Sequence, residues 1–302
     1  MKCKPCGAEA VIELRRHRAA FCRECFLHHC REQVRRAISS HRMMGHSERV
    51  LVAISGGKDS LAVWDVLRDL GYQADGVYLG LGIADYSDAS RDYAEKYAAG
   101  KGATLHVVDI PTEHGFAIPD AARATKRVPC SACGLSKRHL LNKAALDGGY
   151  KVLATGHNLD DEAAVLFGNV MQWQVGYLAR QRPVLEETAG FARRVKPLIR
   201  LSERETAAYC LLTGIDYIVD ECPMAAGNRH LRYKETLNEL EIKSPGIKSA
   251  FYFQFLERML PVLDDVADAE RDLVGECARC GAPSSAEICA FCKLVEKTAA
   301  AS

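Results

Sequence analysis

Paired cysteines are the feature of this sequence most suited to chemistry. Ten of its thirteen cysteines fall in five Cys-x-x-Cys pairs, and the other three are Cys30, Cys210 and Cys222. Two pairs lie near each end of the chain, which predicts a structural zinc site with four thiolate ligands at either end. The predicted ligands are Cys3, Cys6, Cys22 and Cys25 for the first site, and Cys277, Cys280, Cys289 and Cys292 for the second.

The central pair differs because no second pair accompanies it. Cys130 and Cys133 lie in PCSACG, and the candidate third ligand is Cys222, at the end of the predicted strand IDYIVDEC and followed by Pro223. Three thiolates suit an iron–sulfur cluster that leaves one iron open. Spacing alone also allows a zinc site with an outside ligand, a redox disulfide, or a Cys222 that is merely buried.

The stretch SGGKDS has the composition of a phosphate-binding loop. It follows a strand-like run and opens a helix, so its glycines allow close approach to a phosphate and the helix start offers free N–H groups. Lys58 adds a cation, and Ser55 and Ser60 add hydroxyl donors. The spacing is shorter than that of the Walker sequence. An ordinary polar turn is the alternative. The predicted contacts are Ser55, Gly56, Gly57, Lys58, Asp59 and Ser60.

A second polar motif, GHNLDDEAAVLFGN, begins where another predicted strand ends. Gly156 ends that strand, and Asp160 and Asp161 open the next helix. Carboxylates in a first helical turn also act as caps. Beside the phosphates of a nucleotide, however, a carboxylate would hold Mg²⁺ or orient the reacting group, and Asp161 is the stronger candidate.

These motifs are carried by strands that alternate with helices. The pattern predicts an α/β fold with a parallel sheet covered on both faces, in which the strand ends meet at one edge. The predicted strands are residues 49–55, 74–83, 104–110, 151–158 and 215–222.

Composition and charge narrow the class of protein. With 48% hydrophobic and 26% charged residues the chain is typical of a globular protein, and no apolar run of 18 residues predicts a membrane span. The start MKCKPCGAEA lacks the apolar core of a signal peptide, so we expect a cytoplasmic protein without membrane contact.

Positive charge is concentrated at the amino-terminal end. Residues 1–50 hold eleven Lys and Arg against five Glu, although the whole chain has a net charge of only +1. This predicts a local RNA contact; a solvated surface is the alternative. The predicted contacts are Arg31, Arg35, Arg36 and Arg42, with residues 193–204 second.

Taken together, SGGKDS, PCSACGLSKRHLL, GHNLDDEAAVLFGN and the DEC sequence resemble the tRNA 2-thiolation enzymes. The terminal cysteine quartets point to their 2-thiouridine branch, of the TtuA type. The resemblance implies a nucleotide alpha hydrolase (PP-loop) fold, a [4Fe-4S] cluster on Cys130, Cys133 and Cys222, and catalytic roles for Lys137 and Asp161. It also implies that Ala53 and Leu79 lie at the adenine of ATP and Gly156 near its ribose and phosphates.

The implied reaction uses ATP with Mg²⁺ to adenylate the C2 oxygen of a tRNA uridine, releasing pyrophosphate; sulfur then replaces that oxygen and AMP leaves. The sulfur is expected at the open iron of the cluster, delivered by a thiocarboxylated ubiquitin-like carrier. The PCSACGLSKRHLL stretch resembles the enzymes that act on T-loop position 54. Enzymes of this group are often homodimers.

The resemblance and the composition together divide the chain into five parts. These are a zinc module (1–30), a basic helical linker (31–48), a PP-loop catalytic domain (49–243), a helical segment (244–274) and a second zinc module (275–302).

Three other functions stay open on the sequence. A wobble-uridine thiolase shares the same motifs. A lysidine synthetase would share the loop and Asp161 but has no need of the three central cysteines. A tRNA-binding adaptor without activity would not need an intact loop, Lys137 and Asp161.

Overall fold

The computed structural model describes residues 1–225, 229–263 and 275–301. At the amino-terminal end, strands β1 (Ile12–Leu14) and β2 (Ala19–Phe21) form an antiparallel hairpin around the 3₁₀ turn Arg15–His17. Helix α1 (Arg23–Ser40) follows directly after Cys22, so it crosses residue 30, where we divided the zinc module from the linker. Arg42 lies beyond its end.

A six-stranded sheet in the order β5-β4-β3-β6-β8-β7 forms the centre of the fold. All neighbours are parallel except the edge pair β7 and β8, so the predicted parallel sheet is confirmed apart from this antiparallel edge. Its strands are β3 (Arg49–Ile54), β4 (Gln73–Gly80), β5 (Leu105–Asp109), β6 (Val152–Ala154), β7 (Val184–Leu185) and β8 (Arg193–Val195).

The prediction of a strand at residues 215–222 is wrong, because this segment has no strand partner. Its Ile215 and Ile218 side chains are buried, which explains its strand-like pattern. The backbone N–H of Ile218 donates instead to the Gly56 carbonyl at 3.0 Å, so the segment runs against the phosphate loop. The fifth parallel strand of the sheet is instead the short strand β8, which the sequence did not predict because its arginines give no apolar pattern.

Helices cover both faces of the sheet. Val50, Val52 and Ile54 of β3 pack on one face in a core shared with α1, α2 (Lys58–Asp69), α3 (Ala84–Lys101), α7 (Leu159–Met171) and α9 (Glu203–Thr213). Leu51 and Val77 pack on the other face, with α4 (Ile110–His114), α5 (Ile118–Thr125) and α6 (Pro129–Asp147). This alternation is the one that a sheet buried on both faces requires.

The remaining elements lie around this layered core. Helix α8 (Val175–Ala179) follows α7, and helices α10 (Arg229–Lys243) and α11 (Ile247–Gln254) pack against α7. A π turn (Phe255–Met259) and a 3₁₀ turn (Leu260–Leu263) continue α11. The predicted helical segment 244–274 is therefore helical over 247–263, and its residues 264–274 lie outside the described residues.

The carboxyl-terminal module docks on the second face of the sheet. It comprises β9 (Gly275–Glu276), β10 (Pro283–Ser284) and α12 (Ala290–Ala299). Phe291 stacks on His139 of α6 with ring centres 4.1 Å apart and also packs near Phe116. Among the described helices, none is long and apolar enough to cross a membrane.

Candidate active site

The phosphate loop lies between β3 and α2, as the sequence predicts. Gly56 has φ +73°, and a Cβ at this position would lie 2.2 Å from the Ser90 carbonyl oxygen, so only glycine fits. The Ser60 hydroxyl donates to the Gly57 carbonyl at 2.8 Å and accepts the Ser55 N–H at 3.1 Å. These bonds hold the loop at the amino end of α2, where free N–H groups favour an anion.

A crevice of about 420 Å³ opens beside this loop at the carboxyl edge of the sheet. A Cβ on Gly156 would lie 2.8 Å from the Ser60 nitrogen, so this glycine lets the loop after β6 approach the phosphate loop closely. The crevice brings together predicted residues from three separate stretches of the chain, namely Ala53, Ser55, Asp59, Ser60, Lys137, Gly156 and Asp161.

Leu79 lies in a smaller adjoining pocket of about 90 Å³, which it shares with Ala53, Ser55 and Lys137. Gly56, Gly57 and Lys58 belong to the loop but do not line either cavity. The two predicted adenine neighbours therefore lie together, next to the space that borders the phosphate loop.

Lys58 is held by carboxylates. Its Nζ atom lies 2.7 Å from Glu203 Oε1 and 3.2 Å from Asp59 Oδ2. Burial raises the pKa of Glu203, but hydrogen bonding and the charges of Lys58 and Lys234 outweigh it and lower the pKa to about 2. Glu203 is thus ionised and bridges two lysines, since Lys234 Nζ lies 3.1 Å from its other oxygen.

Asp161 faces the crevice with both carboxylate oxygens engaged. Asn158 caps helix α7 in a capping box with Asp161, whose Oδ2 accepts the Asn158 N–H at 3.1 Å. Its Oδ1 lies 2.6 Å from Lys234 Nζ. Although burial lowers the pKa of Lys234, the charges of Asp161 and Glu203 outweigh it and raise the pKa.

The neighbouring carboxylates have structural partners. Asp160 is buried, accepts the Glu203 N–H at 2.9 Å and pairs with Lys248. Asp59 accepts hydrogen bonds from Thr206 at 2.5 Å and Asn158 at 3.1 Å. Asp59 thereby ties the phosphate loop to α7 and α9.

Sequence reasoning missed Glu203 and Lys234. The signature Ser202-x-x-Glu205 marks the start of α9 and could have placed Glu203 at a helix terminus. Lys234 has no comparable local signal, because only the packing of α10 against α7 brings it to Asp161.

The central cysteines meet at the same edge of the sheet. Cys130 and Cys133 lie in the first turns of α6, and the Cys130 thiol donates to the Met224 carbonyl at 3.4 Å, two residues after Cys222. Burial and the nearby Cys133 and Cys222 raise the pKa of Cys130, whereas the charge of Lys137 lowers it. All three thiols are half-buried.

The spacing of these three thiols does not suit a single ion. The described residues contain three groups whose ligand atoms all lie within 4.8 Å of one another, and the central cysteines are not among them. Three thiolates that do not all lie within 4.8 Å of one another leave room for a group larger than one ion, such as an iron–sulfur cluster with one iron not bound by the protein. Cys210 lies elsewhere, buried beneath α2, and its thiol donates to the Lys58 carbonyl at 3.4 Å.

The terminal quartets, in contrast, are compact. Sulfur–sulfur distances are 3.6 Å for Cys6 and Cys22, 3.9 Å for Cys277 and Cys292, and 3.8 Å for Cys280 and Cys289. Zinc–sulfur bonds of about 2.3 Å in a tetrahedron require about 3.8 Å between sulfurs. Each quartet therefore fits one tetrahedral zinc ion.

The predicted RNA-contact arginines are partly engaged within the protein. Arg31 lies 3.2 Å from Asp69, Arg35 pairs with Glu32, and Arg193 lies 3.1 Å from Glu48. Arg194 and Lys196 instead line the crevice. Positive charge thus borders the crevice as well as the amino-terminal module.

Comparisons with known proteins agree with this geometry. Residues 27–235 match the PP-loop domain family, and residues 2–27 match the family described as "2-thiouridine synthetase TtuA, N-terminal LIM domain". The chain is 51% identical to the tRNA-5-methyluridine(54) 2-sulfurtransferase of Thermus thermophilus, over 97% of this chain and 91% of that protein. It is 43% identical to the protein of the same name from Pyrococcus horikoshii, over 97% and 93%.

A solved structure agrees in fold along nearly the whole chain. The U34-tRNA thiolase NcsA from Methanococcus maripaludis, solved with its [4Fe-4S] cluster, superposes with a TM-score of 0.82 at 26% identity. The match covers 98% of this chain and 96% of that one.

Proposed function

The chain belongs to the PP-loop family of TtuA-type tRNA 2-sulfurtransferases, and from that premise we propose that it converts a tRNA uridine to 2-thiouridine with ATP. One observation carries the proposal. A single crevice joins the phosphate loop, Lys137 and Asp161 at the sheet edge where the three central cysteines also meet. A lysidine synthetase or a non-catalytic adaptor would have no use for that combination.

In the first half-reaction the uridine C2 oxygen attacks the α-phosphorus of ATP, and the bond to the leaving pyrophosphate breaks. The free N–H groups at the start of α2 and the Lys58 ammonium stabilise the negative charge that develops on the phosphates. Lys58 must then turn from Glu203 toward the nucleotide. Asp161, which lines the crevice, would bind Mg²⁺ or orient the uridine, and Lys137, which lines both cavities, would contact the α-phosphate.

In the second half-reaction sulfur becomes bonded to C2 and the C2–O bond breaks, so that AMP leaves with the former uridine oxygen. The cluster, held by Cys130, Cys133 and Cys222, would supply an iron without a protein ligand at which sulfide is kept. The sulfur would be delivered by a thiocarboxylated ubiquitin-like carrier. Lys137 lies near enough to these thiols to lower the pKa of Cys130, so it links the two halves of the site.

Identity to the relatives favours position 54 of the T loop as the target. The two position-54 enzymes share 51% and 43% of aligned residues with this chain, against 26% for the wobble-position thiolase NcsA. We further propose one zinc ion in each terminal quartet and a homodimeric assembly.

Nucleoside mass spectrometry of tRNA from cells with and without the gene tests the function. We expect the 2-thio derivative at position 54 to disappear while the wobble nucleosides stay unchanged. Release of AMP and pyrophosphate by the purified protein with tRNA tests the adenylation step separately. Loss of a wobble 2-thiouridine instead would identify a wobble enzyme, and ATP turnover without any change in thiolation would contradict the sulfur chemistry.

A further inference from the structure

A third group of metal-ligating side chains lies away from both the crevice and the cysteine quartets. His17 in the 3₁₀ turn between β1 and β2, His29 on α1 and Glu205 on α9 place their ligand atoms within 4.8 Å of one another. Helix α9 belongs to the core, whereas the turn and the start of α1 belong to the amino-terminal module. The three residues therefore meet where that module contacts the PP-loop domain.

The two oxygens of Glu205 have very different surroundings. Oε2 accepts hydrogen bonds from Arg16 Nη2 at 2.5 Å, the Ser202 N–H at 2.8 Å and the Ser202 hydroxyl at 2.6 Å. Oε1 is equally buried but has no hydrogen-bond partner among the residues that the structure describes. Burial raises the pKa of Glu205, but the adjacent His29, the charge of Arg16 and the Ser202 donors outweigh it and lower the pKa to about 2.

The imidazoles facing this oxygen also lack partners. His29 Nε2 lies 3.4 Å and His17 Nε2 lies 3.7 Å from Glu205 Oε1, and both nitrogens are buried without a hydrogen bond to any residue in the described part of the chain. A charge-assisted N–H···O bond would be about 2.7–2.9 Å long. Nitrogen and oxygen ligands at about 2.0–2.1 Å from a tetrahedral zinc ion lie about 3.3–3.5 Å apart, which matches the observed spacing better.

We infer that His17, His29 and Glu205 form a third metal site, for one divalent transition-metal ion of the zinc class, which fastens the amino-terminal module to helix α9. The ion would satisfy three buried polar atoms at once, and such orphaned atoms in folded proteins often mark an ion or water. Arg16 remains on Oε2 and leaves Oε1 for the metal.

The surroundings suit entry and binding of such an ion. A metal ion requires neutral imidazoles that turn an unprotonated nitrogen toward it, and the Nε2 atoms of His17 and His29 both face Glu205 Oε1. A cavity of about 560 Å³ is lined in part by His17 and His29 and lies beside the site. Two His, one carboxylate and one open position form a known zinc ligand set.

The test compares metal binding by the full-length, cluster-loaded protein and its His17→Gln and His29→Gln variants. His28→Gln is the matched control, because His28 is exposed on the same helix and borders the same cavity but is not in the group. Zinc content is measured after gel filtration, and Co²⁺ titration shows whether a bound ion has thiolate ligands through its charge-transfer bands.

We expect the native protein and His28→Gln to bind one zinc beyond the two in the quartets, with cobalt spectra that lack new thiolate bands. Each of the other two variants should bind this ion at least about 100-fold more weakly while keeping both quartet ions. The inference is overturned if native protein holds only two zinc ions, if His17→Gln and His29→Gln keep the third, or if His28→Gln loses it as well. Retained quartet zinc in each variant separates loss of this site from misfolding.

Discussion

The terminal cysteine quartets differ from the three central cysteines, Cys130, Cys133 and Cys222, which we call the central trio. Both use the same residue type, but their arrangements suit opposite purposes. In the quartets the measured sulfur–sulfur distances are 3.6–3.9 Å, four thiols complete a tetrahedron, and no position is left for a substrate. In the trio the thiols are half-buried, do not all lie within 4.8 Å of one another, and include Cys130, which lies near Lys137 at the crevice. On the proposed assignment, the number and spacing of the ligands would therefore separate a metal that stabilises a module from one that is open to chemistry.

The largest effect on thiolation should come from removing one of the three central thiolates. Cys133→Ala should abolish tRNA thiolation and remove the iron from anaerobically prepared protein, because two thiolates cannot retain the cluster. ATP binding should persist, since the phosphate loop follows β3 whereas Cys133 lies in α6. Iron analysis, nucleoside mass spectrometry and nucleotide titration measure the three properties.

Native protein that thiolates tRNA fully without iron would contradict this expectation. The sulfur would then reach C2 without an iron site, and the distinction between the trio and the quartets would not rest on metal coordination.

Asp161→Ala should give the converse result in the same crevice, with the cluster kept and AMP formation reduced by about 100-fold or more. Asp161 supplies charge to the reacting group or to Mg²⁺ and contacts none of the three thiols in the described structure. Iron content and the rate of AMP release with saturating tRNA are the measurements.

Lys234→Gln is a useful companion variant, because it frees Asp161 Oδ1 from its ion pair without removing the carboxylate. It should reduce the rate less than Asp161→Ala. Loss of iron in Asp161→Ala would show that the two parts of the crevice are not separable.

The quartets should respond as structural sites. Cys277→Ser should release one zinc ion per chain and lower the melting temperature by several degrees, because closed thiolate sites contribute binding energy directly to folding. The carboxyl-terminal module also carries Phe291, which stacks on His139 of α6. Unfolding of this module should therefore expose that face of the core. Zinc analysis and calorimetry test this, and ATP affinity should change little.

In protein purified in air, both quartets should keep their zinc, while the trio should lose its iron. Complete alkylation of the eight terminal cysteines in the native protein would be incompatible with closed sites.

The sequence predicted much of this arrangement because its strongest signals are local. Cysteine pairs, the glycines of the loop and the buried pattern of β3 each depend on a few adjacent residues. The strand predicted at 215–222 failed because Ile215 and Ile218 are buried outside the sheet, and the Ile218 N–H bonds to the phosphate loop instead of to a strand. Glu203 and Lys234 were missed because their roles depend on contacts made only after α9 and α10 pack.

Charge on the amino-terminal module gives a smaller and graded effect. Reversing Arg35 and Arg36 to Glu should weaken tRNA binding and lower the salt dependence by roughly one ion-release step for each phosphate group that the protein no longer neutralises. Arg35 is exposed and pairs only weakly with its helical neighbour Glu32, so it is free to exchange that partner for phosphate. Binding measured at several salt concentrations tests this; an unchanged affinity and slope would move the RNA surface to Arg194 and Lys196.

The smallest effect is expected from substitution of Cys210. If this cysteine were a fourth ligand of the cluster, it would occupy the iron that we propose to be open. Its thiol is buried, burial raises its pKa to about 12, and it donates to the Lys58 carbonyl beneath α2. A neutral thiol with that partner is unavailable to iron, so Cys210→Ser, which keeps a donor at the same place, should retain full iron and near-native thiolation. If Cys210→Ser lost the cluster while its folding and ATP binding stayed normal, the central site would have four protein ligands. It would then resemble the terminal quartets, and the open iron would have to be abandoned.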